Sequence, residues 1–65
     1  MNAKEMCRKV WKEVERWADR VPPLVLVGVG AWGAYMSCLA LGLSDEEIAR
    51  LIPKRVREAI LALDP

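Results

Sequence analysis

Two cysteines, Cys7 and Cys38, are the side chains in this 65-residue sequence best able to do chemistry. They can join as a disulfide or remain thiols that behave as small apolar groups, the usual state in a reducing cytosol. The spacing Gly28-x-Gly30-x-x-Gly33 suits a backbone cradle for phosphate. Lys54, Arg55 and Arg57 form a short basic cluster that could meet an anionic partner. There is no histidine, which removes the usual general base, the commonest zinc or haem ligand, and the Ser-His and Cys-His nucleophile pairs. No catalytic, metal-binding or cofactor-binding constellation remains, so the sequence reads as non-enzymatic.

What must position these residues is an uncharged stretch. From Val21 to Ser44 no side chain carries a charge, while both flanks are dense in Lys, Arg, Asp and Glu. The segment Pro23 to Leu43 reads as an apolar helix, near the twenty residues needed to cross a bilayer. Its aromatic residues Trp32 and Tyr35 stand at the middle instead of at the two interfaces where a spanning helix favours them. Six Lys and Arg precede the segment and four follow it, so a spanning helix would have a cytoplasmic N-terminus. The charged run before the apolar stretch is too long for a cleavable signal peptide, and no lipidation motif is present.

Asn2 to Arg20 reads as an amphipathic helix. At 100° per residue Ala3, Met6, Cys7, Val10, Trp11, Val14, Trp17, Ala18 and Val21 fall within an arc of roughly 140°. Charged residues fill the rest of the circumference. The two Trp on that stripe serve either as packing knobs in a core or as anchors at a membrane surface. Pro22-Pro23 ends the helix, because the residue before a proline is pushed out of the α region. Pro23 also suits the first position of the next helix.

Folding the chain back at the diproline sets Cys7 opposite Cys38, Trp11 opposite Ala34, Val14 opposite Ala31 and Trp17 opposite Gly28. Large side chains then face small ones, with Ala31, Ala34 and Cys38, together with Gly28 and Gly30, lining a shallow groove that Trp11 and Trp17 fill, as interdigitated packing requires. A Cys7–Cys38 bridge would close a loop of about thirty residues and contribute roughly 3–4 kcal/mol on the chain-entropy account. That is as much as a core of this size supplies by itself.

Residues 44–63 read as short helices interrupted at Pro53. Ser44-Asp45-Glu46-Glu47 is a capping box after the stop signal Gly42. Val56, Ala59, Ile60 and Leu63 resume helical periodicity beyond the proline. Asp64-Pro65 reads as a frayed end.

Two resemblances bear on function. Residues 24–41, LVLVGVGAWGAYMSCLAL, resemble the first strand, glycine turn and helix of Rossmann dehydrogenases, with the run Gly30-Ala31-Trp32-Gly33 similar to the turn of glycerol-3-phosphate dehydrogenases. That resemblance implies a dinucleotide on the three glycines, yet no second strand with an acidic end follows and a lone strand has no sheet to join. Residues 42–61 are similar to the C-terminal half of bacterial helix-turn-helix regulators, which implies DNA contacts from Lys54, Arg55 and Arg57. Against it, Ile52-Pro53-Lys54 leaves almost none of the three or four turn residues such a motif uses.

The sequence is therefore expected to form a single all-α domain over residues 1–65: amphipathic helix, diproline reversal, apolar central helix, kinked C-terminal region. A helix apolar on every side cannot be covered by two amphipathic neighbours from so short a chain. Self-association in a soluble oligomer or filament, or a lipid or membrane-protein partner, is expected to cover it. The alternative is a DNA-binding or regulatory module using residues 42–63. The net charge of +1 gives no general attraction to nucleic acid or anionic surfaces. Scarce amide side chains beside many charges are also a thermophile signal.

Overall fold

In a computed structural model the chain is all-α, with four helices and no strand among the described residues, 2–63. Met1 and the expected frayed end Asp64-Pro65 lie outside them. Helix α1 spans Ala3–Arg16. Its cap is Asn2, whose Oδ1 accepts from the Glu5 amide at 2.8 Å, satisfying one of the donors left open at a helix start.

The first helix stops four residues short of the expected Arg20. The amides of Trp17 and Ala18 donate to the carbonyls three residues back, Val14 and Glu15, and those of Arg20 and Val21 both donate to Trp17. This tightened turn unwinds the helix before Pro22, which is extended at φ −62°, ψ 152°. The reason is steric: Val21 cannot remain helical in front of a proline, so the preceding turn absorbs the reversal.

Helix α2 then runs Pro23–Ala40, with Pro23 at its start. It contains a π-helical stretch at Leu26–Ala31 that periodicity did not signal. Hydrogen bonds in such a stretch reach back five residues, as from the Trp32 amide to the Val27 carbonyl. The consequence is a change of stripe. Leu26 and Ala31, five apart, are both buried, and the buried stripe continues through Ala34 and Cys38 at ordinary α spacing.

At its far end α2 stops at Ala40 and not at Leu43. Gly42 adopts φ +94°, its amide donating to Leu39 and that of Leu43 to Cys38. This is the Schellman arrangement, in which a left-handed residue satisfies the last carbonyls. Leu43 and Cys38 are buried in the same core, the apolar contact that accompanies this cap.

Helix α3, Asp45–Leu51, opens on the expected capping box. Ser44 Oγ accepts from the Glu47 amide at 3.2 Å, and the Ser44 amide donates to Glu47 Oε1 at 3.0 Å. These bonds, Ser44 foremost, hold the Glu47 carboxyl below the usual glutamate range. Ile52 is extended before Pro53, and α4 follows as Lys54–Ala62. The Arg57 guanidinium donates to the Ala49 carbonyl at 2.9 Å and ties α4 to α3.

Pairing of α1 with α2 makes a helical hairpin, and α3 and α4 pack across both. Trp11, Ile48, Val56, Cys7 and Cys38 are the largest fully buried residues. One core thus joins all four helices.

Two predictions follow from the caps. An added Cβ at Gly42 meets no atom within 4 Å, so the cost of Gly42→Ala is purely conformational, about 1–2 kcal/mol for a left-handed non-glycine residue. Thermal melting by circular dichroism should show a midpoint lowered by several degrees. Glu47, with its folded value depressed, stabilises above its unfolded pKa and loses that contribution as pH falls through the folded one. Glu47→Gln should therefore flatten the acid limb of stability against pH in urea titrations.

Candidate functional site

Cys7 and Cys38 are joined as a disulfide, with their Cα atoms 5.4 Å apart. That separation is ordinary for a disulfide. Both residues are fully buried. The bridge sits near the start of α1 and the end of α2, so the hairpin is closed covalently at one end and by Pro22-Pro23 at the other.

Between these closures the hairpin seam is built from unequal partners. Trp11 and Val14 on α1, with Ala31 and Ala34 on α2, are all buried in the shared core. At Gly30 the seam is tight: a Cβ placed there would come within 3.2 Å of Val14 Cγ1. The Trp11 Nε1 is buried without a hydrogen-bond partner among the described residues. Leaving such a donor unmet is destabilising, and filling the seam with the indole offsets it.

Trp17 and Gly28 depart from the expected pairing. The Trp17 side chain is 51% exposed, stacked under the Arg20 guanidinium at 5.6 Å from the ring centroid. An added Cβ at Gly28 would meet nothing within 4 Å. The cause is twofold. Because α1 unwinds after Arg16, Trp17 leaves the helical stripe, and the π stretch of α2 places Gly30 instead of Gly28 against α1.

Beside the seam runs an apolar groove of about 580 Å³. On the α1 side it is walled by Val10, Glu13 and Val14, with Trp17 just past the helix end, and its α2 wall includes Val25, Val29, Gly30, Gly33, Ala34 and Ser37. Past Val10 and Ser37 it continues into a second depression of about 480 Å³, bordered by Met6, Lys9, Ala40 and Leu41. Neither α3 nor α4 contributes to these walls. Next to the groove the outer face of α2 is open: Leu24 is 70% exposed, Val29 72% and Trp32 63%, with Met36 and Leu39 also exposed.

The basic cluster is turned largely to its own chain. Arg55 pairs with Asp19, Arg57 holds the Ala49 carbonyl, and Lys54 lies 4.0 Å from Glu58 on the exposed side of α4. The three glycines of the phosphate-cradle spacing all lie inside α2, with no strand before them. Among the described residues no three of Cys, Asp and Glu gather as a metal-binding group.

Periodicity marked the seam because α1 alternates apolar and charged residues. It did not mark the groove. Within an uncharged segment, nothing in residue type separates a covered face from an open one, and only the five-residue stagger of Leu26 and Ala31 carried that information. Comparison with family models, curated proteins and solved structures gives no match for this chain.

The bridge closes a loop over a sequence separation of 31, for which the chain-entropy account gives about 4 kcal/mol. A Cys7→Ser, Cys38→Ser variant, or the parent chain held in dithiothreitol, should melt far below the oxidised protein. Equal midpoints would show that the bridge does not restrain the unfolded chain.

Proposed function

We propose that this chain is a non-enzymatic structural module that works by self-association, with the groove between α1 and α2 and the open face of α2 as its contact surface. The observation that carries this reading is the uncharged outer face of α2, left uncovered beside a largely apolar groove that only Glu13 and Lys9 border with charge. Large exposed apolar patches on soluble proteins mark interaction surfaces. Here the patch holds Leu24, Val29, Trp32 and Met36.

Its shape favours a second copy. Val29, Trp32 and Met36 form an exposed ridge on α2, and Val29 also lines the groove between α2 and α1. A two-fold axis can set each copy's ridge into the other's groove, which is the self-complementarity an isologous contact requires. Gly30, Gly33, Ala34 and Ser37 on the groove wall admit a close helix. The chain's net charge of +1 puts little repulsion between copies. A head-to-tail version of the same contact would propagate as a filament.

Helix α2 is also long and apolar enough to cross a membrane, with a mean hydropathy of 1.6 over 18 residues. In the closed hairpin, however, α1 lies along it and carries Lys4, Glu5, Arg8, Lys9, Lys12, Glu13, Glu15 and Arg16. Each such charge costs about 2.5–3.5 kcal/mol at the bilayer centre. For the bridged chain, covering α2 with protein is by far the cheaper solution.

Sedimentation equilibrium without detergent or reductant should give a mass that rises with concentration above the 7.3 kDa of one chain. Trp32→Lys or Val29→Lys should weaken association by roughly tenfold or more, about 1.4 kcal/mol per decade, with helix content kept. A parent chain that stays monomeric at high micromolar concentration would refute the proposal.

A further inference from the structure

The hairpin has two closures of different kinds. Pro22-Pro23 is part of the chain and permanent, whereas the Cys7–Cys38 bond is chemically removable. What α2 can do depends on the second. Its 18 residues extend about 27 Å at 1.5 Å per residue, close to the roughly 30 Å of a bilayer's hydrocarbon. Only 22% of that span is buried, chiefly the stripe Leu26, Ala31, Ala34 and Cys38. No charge occurs on it or in the three residues that follow.

While the bridge holds, α1 must accompany α2 wherever it goes. The eight charges of α1 then bar the pair from hydrocarbon. Without the bridge, α1 is joined to α2 covalently only through the diproline, and packing against the other helices is all that keeps it in place. A helix with Trp11, Val14 and Val10 on one face and charges on the other suits the plane of a membrane surface, and α2 can cross once α1 and α4 separate from it.

We propose that the Cys7–Cys38 bridge is a redox lock on bilayer insertion: oxidised, it holds α2 in the closed hairpin; reduced, it lets α2 span lipid with α1 on the surface. The reductant is a dithiol. One of its thiolates attacks a cysteine sulfur, the Cys7–Cys38 bond breaks, and the second thiol resolves the mixed disulfide. Two electrons and two protons pass to the chain, giving two thiols, and the dithiol leaves as a disulfide. Both sulfurs are fully buried, so attack waits on fraying of the hairpin end. Cys7 is four residues from the start of α1 and Cys38 two from the end of α2, so the fraying that admits the dithiol must also part them from Leu43 and the shared core.

The test uses the full chain and phosphatidylcholine vesicles, floated on a density gradient and then washed in alkaline carbonate. Three samples are compared: oxidised protein, protein reduced with dithiothreitol, and the Cys7→Ser, Cys38→Ser variant. The oxidised chain should wash off or stay unfloated, and the other two should float and resist carbonate, by roughly tenfold or more in retained fraction. Retention of the oxidised chain would overturn the lock, as would reduced chains that remain unfloated or aggregate without joining vesicles. A further substitution, Trp32→Arg at the middle of α2 in the serine background, should abolish carbonate resistance. If resistance survives it, α1 is adsorbing alone and α2 does not span, which also overturns the proposal. Lipid-free sedimentation of the oxidised chain decides self-association separately, so either idea can fail without the other.

Discussion

Everything in this molecule depends on α1 being held in register along α2. The chain holds it by closing a loop at both ends, with a diproline at one and two cysteines at bonding distance at the other. Between them the seam is thin. Trp11 and Val14 supply the bulk on one side, and Ala31, Ala34 and Gly30 supply the room on the other. A core this small gives only a few kcal/mol, so a closure worth about as much is a condition of the fold and not an accessory. The C-terminal helices add Leu43, Ile48 and Val56 to the same core, and they can do so only because the hairpin presents them a fixed surface.

Features governed by local rules were legible in the sequence. The stripe of α1, the helix start at Pro23, the glycine stop and the Ser44–Glu47 box each rest on a few neighbouring residues. The facing of Cys7 and Cys38 was legible for a different reason: a reversal at a known point turns sequence distance into spatial register. That register holds only where both helices keep ideal geometry. It fails toward the turn, where α1 unwinds after Arg16 and α2 takes on the π stretch at Leu26–Ala31. Each deviation rotates the following residues, and together they put Trp17 and Gly28 on open surface. Errors of this kind collect beside the diproline because the strain of reversing two helices must be absorbed there.

The glycines show why spacing alone decides little. Gly28-x-Gly30-x-x-Gly33 could serve a phosphate-binding turn only with a strand before it and a sheet around it, and a helix contains all three here. Inside a helix each glycine costs roughly 1 kcal/mol relative to alanine. Gly30 has a reason within the chain, since Val14 would crowd a side chain there. At Gly28 and Gly33 an added Cβ would meet nothing, so nothing inside one chain calls for their small size. A closely approaching second helix would.

Cover for α2 can come from protein or from lipid, and on the proposed lock these two solutions are exclusive. An amphipathic partner helix on one side protects the stripe Leu26, Ala31, Ala34 and Cys38, yet brings eight charges within a helix diameter of the rest. Lipid could cover every side of α2, provided those charges depart. Because α1 is tethered at both ends, it can depart only if one tether is cut, and the proline joint has no chemistry by which to cut it. On the proposed lock, the choice of environment for the longest apolar element falls on a single covalent bond at the end of the hairpin opposite the diproline. In that respect the two cysteines set the chain's state as well as its stability, and the apolar face they leave uncovered is the part of the molecule that reports which state it is in.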